Sequence, residues 1–479
     1  MSDRSLACDV LVAGSGIGGM SAAVAAAQAG ADVLVVEKDM TVGGNARWAG
    51  GFDIESDSFG GMRDGNPEGD PDLQRALVHD FPVALDWLRS FGVKLVPDPL
   101  SPGRFNYHPH QGLGGIRMFT TLRSRLEADG GRILLGTGLA HLLTGDRGEV
   151  VGAVCSGDGG VLRVEAGATI LATGSFSRNT EMKVRYFGAT GDRTSYYGSR
   201  HHDGDGILAA LAVGASLSTG VSVSTGGCVF APPFEPPDDL REFLGGGSGL
   251  SEEERRMPEP VPSGVQRLSL RPPIWGDEPS ILVNLGGDRY VDESSRYTVI
   301  GWATTGQREG LGFCVFDHPL YVEFEETIEV ARGWGARIVQ ADTVEELAAR
   351  LAAWRATPSY NEGVNPRRLV RTLAEYNLEA RGGRLHELWP PRREGGRPIN
   401  RPPFYAAPVV QGVVDPAGGL RIDSDARVLD RGGRPIEGLF AAGADAGRAY
   451  TREHGGLAFG LIFGRRAGGN AARSSSGGG

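Results

Sequence analysis

The stretch Asp9-Val10-Leu11-Val12-Ala13-Gly14-Ser15-Gly16-Ile17-Gly18-Gly19-Met20 decides the fold. An apolar run ends in glycines spaced G-x-G-x-x-G at Gly14, Gly16 and Gly19, and an alanine-rich helix is expected from there to Gly30. A second strand is expected over 32–36, ending at Glu37. In such a unit the first glycine allows a tight turn, the second lets a pyrophosphate approach the backbone, and the third lets helix pack on strand. The helix start offers unpaired N–H groups and a positive dipole end to phosphates. Glu37 stands where an acid holds a ribose hydroxyl. A lone glycine triplet is weak evidence, but this one has strand, helix, second strand and acid in order.

Outward from this unit, residues 41–51 form a second glycine-rich loop, and an amphipathic helix is expected over 72–91. Strands are expected over 132–135, 149–155 and 169–172, the last running into Thr173-Gly174. From about 176 to 397 the character changes, with separate helices and a proline-rich excursion over 232–273. Strand and glycine return after Phe404, with Gly418-Gly419 and Gly438-Leu439-Phe440-Ala441-Ala442-Gly443. The reading is an α/β protein: a discontinuous Rossmann-like nucleotide domain (1–177 and 398–479) holding an inserted α+β capping domain (178–397). The Ser474 to Gly479 tail reads as disordered.

Composition narrows the function. A chain of 479 residues suits two or three domains. Its 75 glycines are spread among turns between apolar runs, unlike a low-complexity chain. A net charge of −10 argues against a nucleic-acid partner. Cys8, Cys155, Cys228 and Cys314 are scattered, which suggests neither a disulfide framework nor zinc, and points to a reducing cytoplasm. No signal peptide is read at the start, and no apolar run nears the roughly 20 residues of a transmembrane helix. His201-His202-Asp203-Gly204-Asp205-Gly206 looks metal-like, but reads better as a turn opening a helix; no metal is expected.

The opening motif, Gly43-Gly44-Asn45, Ala172-Thr173-Gly174, the Gly438 to Gly443 segment and Gly464-Arg465-Arg466-Ala467-Gly468 resemble, in this order, the fumarate reductase/succinate dehydrogenase flavoproteins. The resemblance implies FAD at the interface of the two domains. It implies contacts from Gly14, Gly16, Gly19, Glu37, Lys38, Gly43, Gly44, Asn45, Gly51, Gly174, Asp445 and Leu457. Succinate dehydrogenases attach FAD through a histidine; Gly44 stands at that place, so non-covalent FAD is expected.

The segment Asn284 to Tyr297 resembles the family signature N-x-x-G-x-R-F-x-x-E, with Tyr290 for phenylalanine. Four residues after Glu293, fumarate reductases carry an arginine proton donor, whereas 3-ketosteroid dehydrogenases carry a tyrosine base in E-S-x-x-Y. Glu293-Ser294-Ser295-Arg296-Tyr297 fits the second pattern, and a one-residue slip to Arg296 would restore the first. Asp415 and Glu453-His454 stand where fumarate reductases have a histidine and an arginine for substrate carboxylates; Arg452 keeps a carboxylate option open. Tyr107 and His108 resemble a tyrosine- and proline-containing stretch of the ketosteroid enzymes, and Tyr450 resembles their late tyrosine.

The expected reaction is therefore desaturation of a ring ketone: Tyr297 removes the α-proton and hydride leaves to flavin N5. Charge builds on the carbonyl oxygen, where preorganised donors, the Tyr450 hydroxyl and the Gly455 N–H, are expected. A tyrosine of pKa about 10 is a poor base alone, and Tyr107 or His108 is expected to assist. Surface or packing roles stay open for Tyr107, His108, Tyr297 and Tyr450. The substrate is a 3-oxosteroid or a smaller oxo-cycloalkane such as 4-oxocyclohexanecarboxylate, with an unidentified electron acceptor. Two alternatives stand: a fumarate-reductase-like or tricarballylate-dehydrogenase-like enzyme, and a flavin subunit feeding electrons to a partner.

Overall fold

The computed structural model describes residues 4–49, 51–97, 105–106, 113–196, 198–221, 224–231, 272–273, 279–355, 363–447 and 456–476. Its first layer is a sheet built on strand Arg4–Ala13. Val33–Val36 pairs with it on one side and Gly160–Leu171 on the other, both parallel. Arg132–Leu134 and Pro435–Ala441 extend the two flanks, also parallel. The runs Val10 to Ala13 and Val33 to Val36 are buried on both faces, as a helix-covered parallel sheet demands. Gly160–Leu171 starts with alternate residues exposed, then is wholly buried over Ala168 to Leu171.

Helix Ile17–Gln28 returns the chain between the first two strands and packs along its length against helix Gly456–Ser476. This contact runs backbone to backbone. A Cβ on Gly464 would lie 2.3 Å from the Gly18 carbonyl oxygen, and one on Gly468 2.1 Å from that of Ala22. The long helix continues through Ser474 to Ser476, where disorder was expected. Gly167 abuts Ser475 there, and the Ser474 and Ser475 hydroxyls donate to the Ala471 and Ala472 carbonyls.

A second, six-stranded sheet centres on Phe404–Val413. Cys228–Phe230, Leu311–Asp317 and Val339–Ala341 run antiparallel to it, and the short strand Ser195–Tyr196 runs parallel. Each sheet carries its own apolar core. Met182, Ile207, Ala210, Ala215 and Val221 join the first core, whereas Phe404, Ala406 and Val410 belong to the second.

Gly464→Leu should force the two helices apart and cost about 3 kcal/mol or more. Gly469→Ala, whose Cβ would meet only the Arg473 guanidinium at 3.7 Å, should be neutral or stabilising by up to about 1 kcal/mol. Denaturant unfolding of the two variants checks the contrast.

Candidate active site

The glycine turn lies at the carboxyl end of the parallel sheet, where open α/β sheets bind their ligands. Gly14, at φ +101°, sits so close to Ala172 that a Cβ would lie 2.1 Å from its carbonyl oxygen. Gly19 is pressed equally tightly against Gly14. Gly16 differs: a Cβ there would meet nothing within 4 Å, and one on Gly44 would meet only the Gly16 Cα, at 3.9 Å. Room is thus kept between turn and loop, at a helix start that no side chain caps and whose first turn holds no acid. Backbone donors facing clear space suit a pyrophosphate.

Glu37, at the end of Val33–Val36, is held beside this space. Its carboxylate accepts from the Ser15 N–H at 2.8 Å, the Ser15 hydroxyl at 2.5 Å and the Asp39 N–H at 2.7 Å. The Ser15 hydroxyl also accepts from the Gly43 N–H at 3.2 Å, joining the two glycine loops. Ser15 stands at an x position of G-x-G-x-x-G, so the glycine spacing gives no sign of this role.

Three residues implied as cofactor contacts hold neighbouring loops. Lys38 pairs with Asp203 and Asp205 at 3.0 and 2.9 Å. Asn45 accepts from the Ser199 N–H at 2.6 Å and reaches toward His202. Asp445 is fully buried, accepting from the N–H groups of Thr173 and Gly174 and from the Thr173 hydroxyl. Burial pushes its carboxyl up to about 7 despite these donors. Gly51 opens the two-residue strand Gly51–Phe52, Gly174 rests against the His202 ring, and Leu457 is the second residue of the long last helix, half-buried.

His202, read from sequence as part of a helix-opening turn, is buried in a polar junction. Gly204 does open helix Asp205–Ala212 in the left-handed region. Two residues earlier, the His202 Nδ1 lies 3.1 Å from the Ser175 hydroxyl, 3.4 Å from the Asn45 amide nitrogen and 3.5 Å from Asp415 Oδ1. Its ring stacks on Tyr196, whose hydroxyl donates to the Ser199 carbonyl at 2.7 Å. Of the three groups around Nδ1, the Ser175 hydroxyl and the Asn45 amide are its hydrogen-bond partners. No local signal joins positions 45, 202 and 415; only the fold does.

The end of Phe404–Val413 gathers the remaining groups. Tyr196 pairs with Val413, and Thr225 faces Asp415 across a short antiparallel ladder. Helix Tyr297–Thr305 lies over this end, with Tyr297 as its first residue, half-buried against Gly227; a Cβ on Gly227 would lie 3.1 Å from that of Tyr297. Arg296, one residue earlier, is exposed. The preceding signature is an anchor: Arg289 grips Glu293 at 2.5 and 2.9 Å with both residues buried, and Glu293 also accepts from the Leu282 N–H. Tyr290, the departure from phenylalanine, spends its hydroxyl on Thr304 at 2.8 Å. Tyr107, His108, Tyr450 and Gly455 lie outside the described residues.

Residues 9–457 match the model of the FAD binding domain family. The chain belongs to that family. The flavoprotein is 28% identical to the probable fumarate reductase Ifc3 of Shewanella frigidimarina, over 97% of this chain and 74% of that protein. It is 26% identical to the 4-oxocyclohex-2-ene-1-carboxylate 5-dehydrogenase of Sinomonas cyclohexanicum, over 99% and 95%. Among solved structures, the 3-ketosteroid-Δ4-(5α)-dehydrogenase of Rhodococcus jostii RHA1 superposes with a TM-score of 0.69 at 25% identity, covering 98% of this chain and all of that one. The flavoprotein is an FAD-dependent oxidoreductase of the fumarate reductase superfamily, with ketosteroid dehydrogenases among its structural neighbours. Among the described residues, no helix is long and apolar enough to cross a membrane.

No histidine occurs between Gly43 and Gly51, so acid precipitation should release all the yellow colour into the supernatant. Colour kept by the pellet would mean a covalent flavin.

Asp445 yields a pH dependence. Its folded pKa lies above the ordinary 3.8, so its contribution to stability is full below about pH 4 and is lost as pH rises through about 7. Asp445→Asn should flatten that slope in urea unfolding of FAD-free protein between pH 4 and 8.

Proposed function

We propose that the flavoprotein desaturates a ring ketone, forming a C=C bond beside the carbonyl. The observation that carries this reading is the contrast at the start of helix Tyr297–Thr305. The tyrosine is half-buried with its Cβ against Gly227, while the arginine next to it is exposed. The names of two relatives support the class, since one acts on an oxocyclohexene carboxylate and another on a 3-ketosteroid.

Gly14, Gly16, Gly43, Gly44 and Glu37 would hold FAD, which when bound supplies a two-electron acceptor. The work of this chain's own residues is to move a proton and steady a charge. Tyr297 takes the proton from the carbon next to the carbonyl. A helix start favours negative charge within its first turn, which helps a phenolate form there. The buried Arg289–Glu293 pair fixes the loop four residues upstream, so the hydroxyl is aimed by a rigid support. Tyr450 and the Gly455 N–H are the proposed donors to the carbonyl oxygen, with Tyr107 or His108 passing the proton onward. Residues from about 178 to 397 form the proposed cap, closing over the substrate to exclude water.

A second reading, reduction of an unsaturated acid, is favoured by the fumarate reductase among the relatives. It assigns proton donation to Arg296. The two readings predict opposite variants. Under ketone desaturation, Tyr297→Phe should slow anaerobic flavin reduction by a ring ketone about 10²–10⁴-fold, with flavin content unchanged. Arg296→Lys should be mild. Under the reductase reading the order inverts. Wild-type rates in Tyr297→Phe would sink the desaturase mechanism.

A further inference from the structure

The hydroxyl that separates Tyr290 from the phenylalanine of the family signature has a prepared seat, and the inference drawn from it rests on Tyr297 being the base. The Tyr290 hydroxyl donates to the Thr304 hydroxyl at 2.8 Å. Thr304 in turn donates to the Ile300 carbonyl, one turn back in its helix, at 2.9 Å. With its own proton so placed, the Thr304 oxygen accepts from Tyr290 and from the Cys228 thiol, whose sulfur lies 3.1 Å away. Thr304 and Cys228 are both buried. Burial holds the Tyr290 phenol well above its ordinary pKa, so it stays a neutral donor and is itself no base.

The neighbouring strand is cut to fit the same hydroxyl. A Cβ on Gly312 would lie 2.2 Å from the Tyr290 hydroxyl oxygen and 3.0 Å from the ring carbon that bears it. Gly312 pairs with Val409 inside strand Leu311–Asp317 and lies outside the left-handed region, so the backbone asks for no glycine there. Room for the hydroxyl does.

The seat lies on the helix that begins with Tyr297. Thr304 stands seven residues after Tyr297, two helical turns, so both project from nearly the same side. Whatever fixes the rotation of one fixes the aim of the other. Between them Gly301 rests on the Gly226 carbonyl, where a Cβ would come within 2.4 Å. That contact sets a distance but keys no rotation, and the N-cap, Arg296, makes no side-chain capping bond.

We propose that Tyr290 is a positioning residue: its hydroxyl, seated on Thr304, sets the rotation of helix Tyr297–Thr305 and so aims the Tyr297 hydroxyl at the ketone's α-carbon. A misplacement of about 1 Å at such a group costs up to about 100-fold in rate.

The test follows anaerobic flavin reduction in the holoenzyme by 4-oxocyclohexanecarboxylate and by 4-androstene-3,17-dione, each over a range of concentrations. Tyr290→Phe should lower the limiting rate by about tenfold or more, with the half-saturating concentration within about twofold and flavin content unchanged. In the Tyr297→Phe background the same change should cost less than about twofold, because the group it aims is gone. A general loss of stability would cost the same in both backgrounds. Thr304→Val should copy Tyr290→Phe, and Thr304→Ser, which keeps the seat, should hold the wild-type rate. That pair decides the matter should Tyr290→Phe not fold. The proposal is overturned if Tyr290→Phe reduces its flavin at the wild-type rate, if its loss is equal in both backgrounds, or if Thr304→Ser is as slow as Thr304→Val. With Tyr297→Phe slow and Tyr290→Phe unaffected, the base stands and only the positioning role falls. With Tyr297→Phe at the wild-type rate, or with neither ketone bleaching the flavin, the ring-ketone reading fails and takes the proposal with it.

Discussion

The approach of the first helix to its surroundings is closer than any side chain permits, and the rest of the molecule is arranged around that approach. Gly19 lies on Gly14, Gly18 on Gly443, and Gly464 on Gly18, each with a virtual Cβ within 2.6 Å of a backbone atom. These contacts fix where the helix starts, and so where its free N–H groups point. The first strand, the third parallel strand and the last helix meet the same short helix, so cofactor cradle and core are one construction. Close-packed interiors transmit small volume changes, which is why one methyl group at Gly464 would be felt at the phosphate site.

Much of this was legible because it is local. The opening strand-turn-helix, Glu37, the second glycine loop and the late glycine segments follow from periodicity and turn chemistry over short spans. The family signature also gave Tyr297 and Arg296 as the positions where the two chemistries part. What was not legible depends on contacts across hundreds of residues. The His202–Asp415 pair spans 213 positions, and a histidine in a glycine-rich turn carries no sign of its distant partner. The serine-rich tail looked disordered by composition, yet a neighbouring strand gives it a surface to pack on. The helices Thr180–Phe187 and Asp205–Ala212 bury apolar residues in the first core, which no local pattern in their sequence announces.

Buried charge divides into two kinds here. Arg289 grips Glu293, with the buried Arg392 also facing that carboxylate at 4.0 Å, so their worth lies in geometry: removing Glu293 would strand two cations in a dry place. Asp445 is held by the N–H groups of Thr173 and Gly174 and by the Thr173 hydroxyl instead, and burial raises its pKa. The first kind makes a scaffold for Tyr297. The second gives a group whose charge can respond to pH.

The central strand Phe404–Val413 also governs the order of assembly during synthesis. Its partners, Ser195–Tyr196, Cys228–Phe230, Leu311–Asp317 and Val339–Ala341, all emerge before it. The first sheet likewise waits for Pro435–Ala441, and the first helix for Gly456–Ser476. Neither unit can close while the ribosome is still making residues before 400. Long-range pairings of this kind fold slowly and leave strand edges open meanwhile. A nascent chain of this protein therefore carries two unfinished sheets at once, and its demand for chaperones should peak shortly before its last fifth is made.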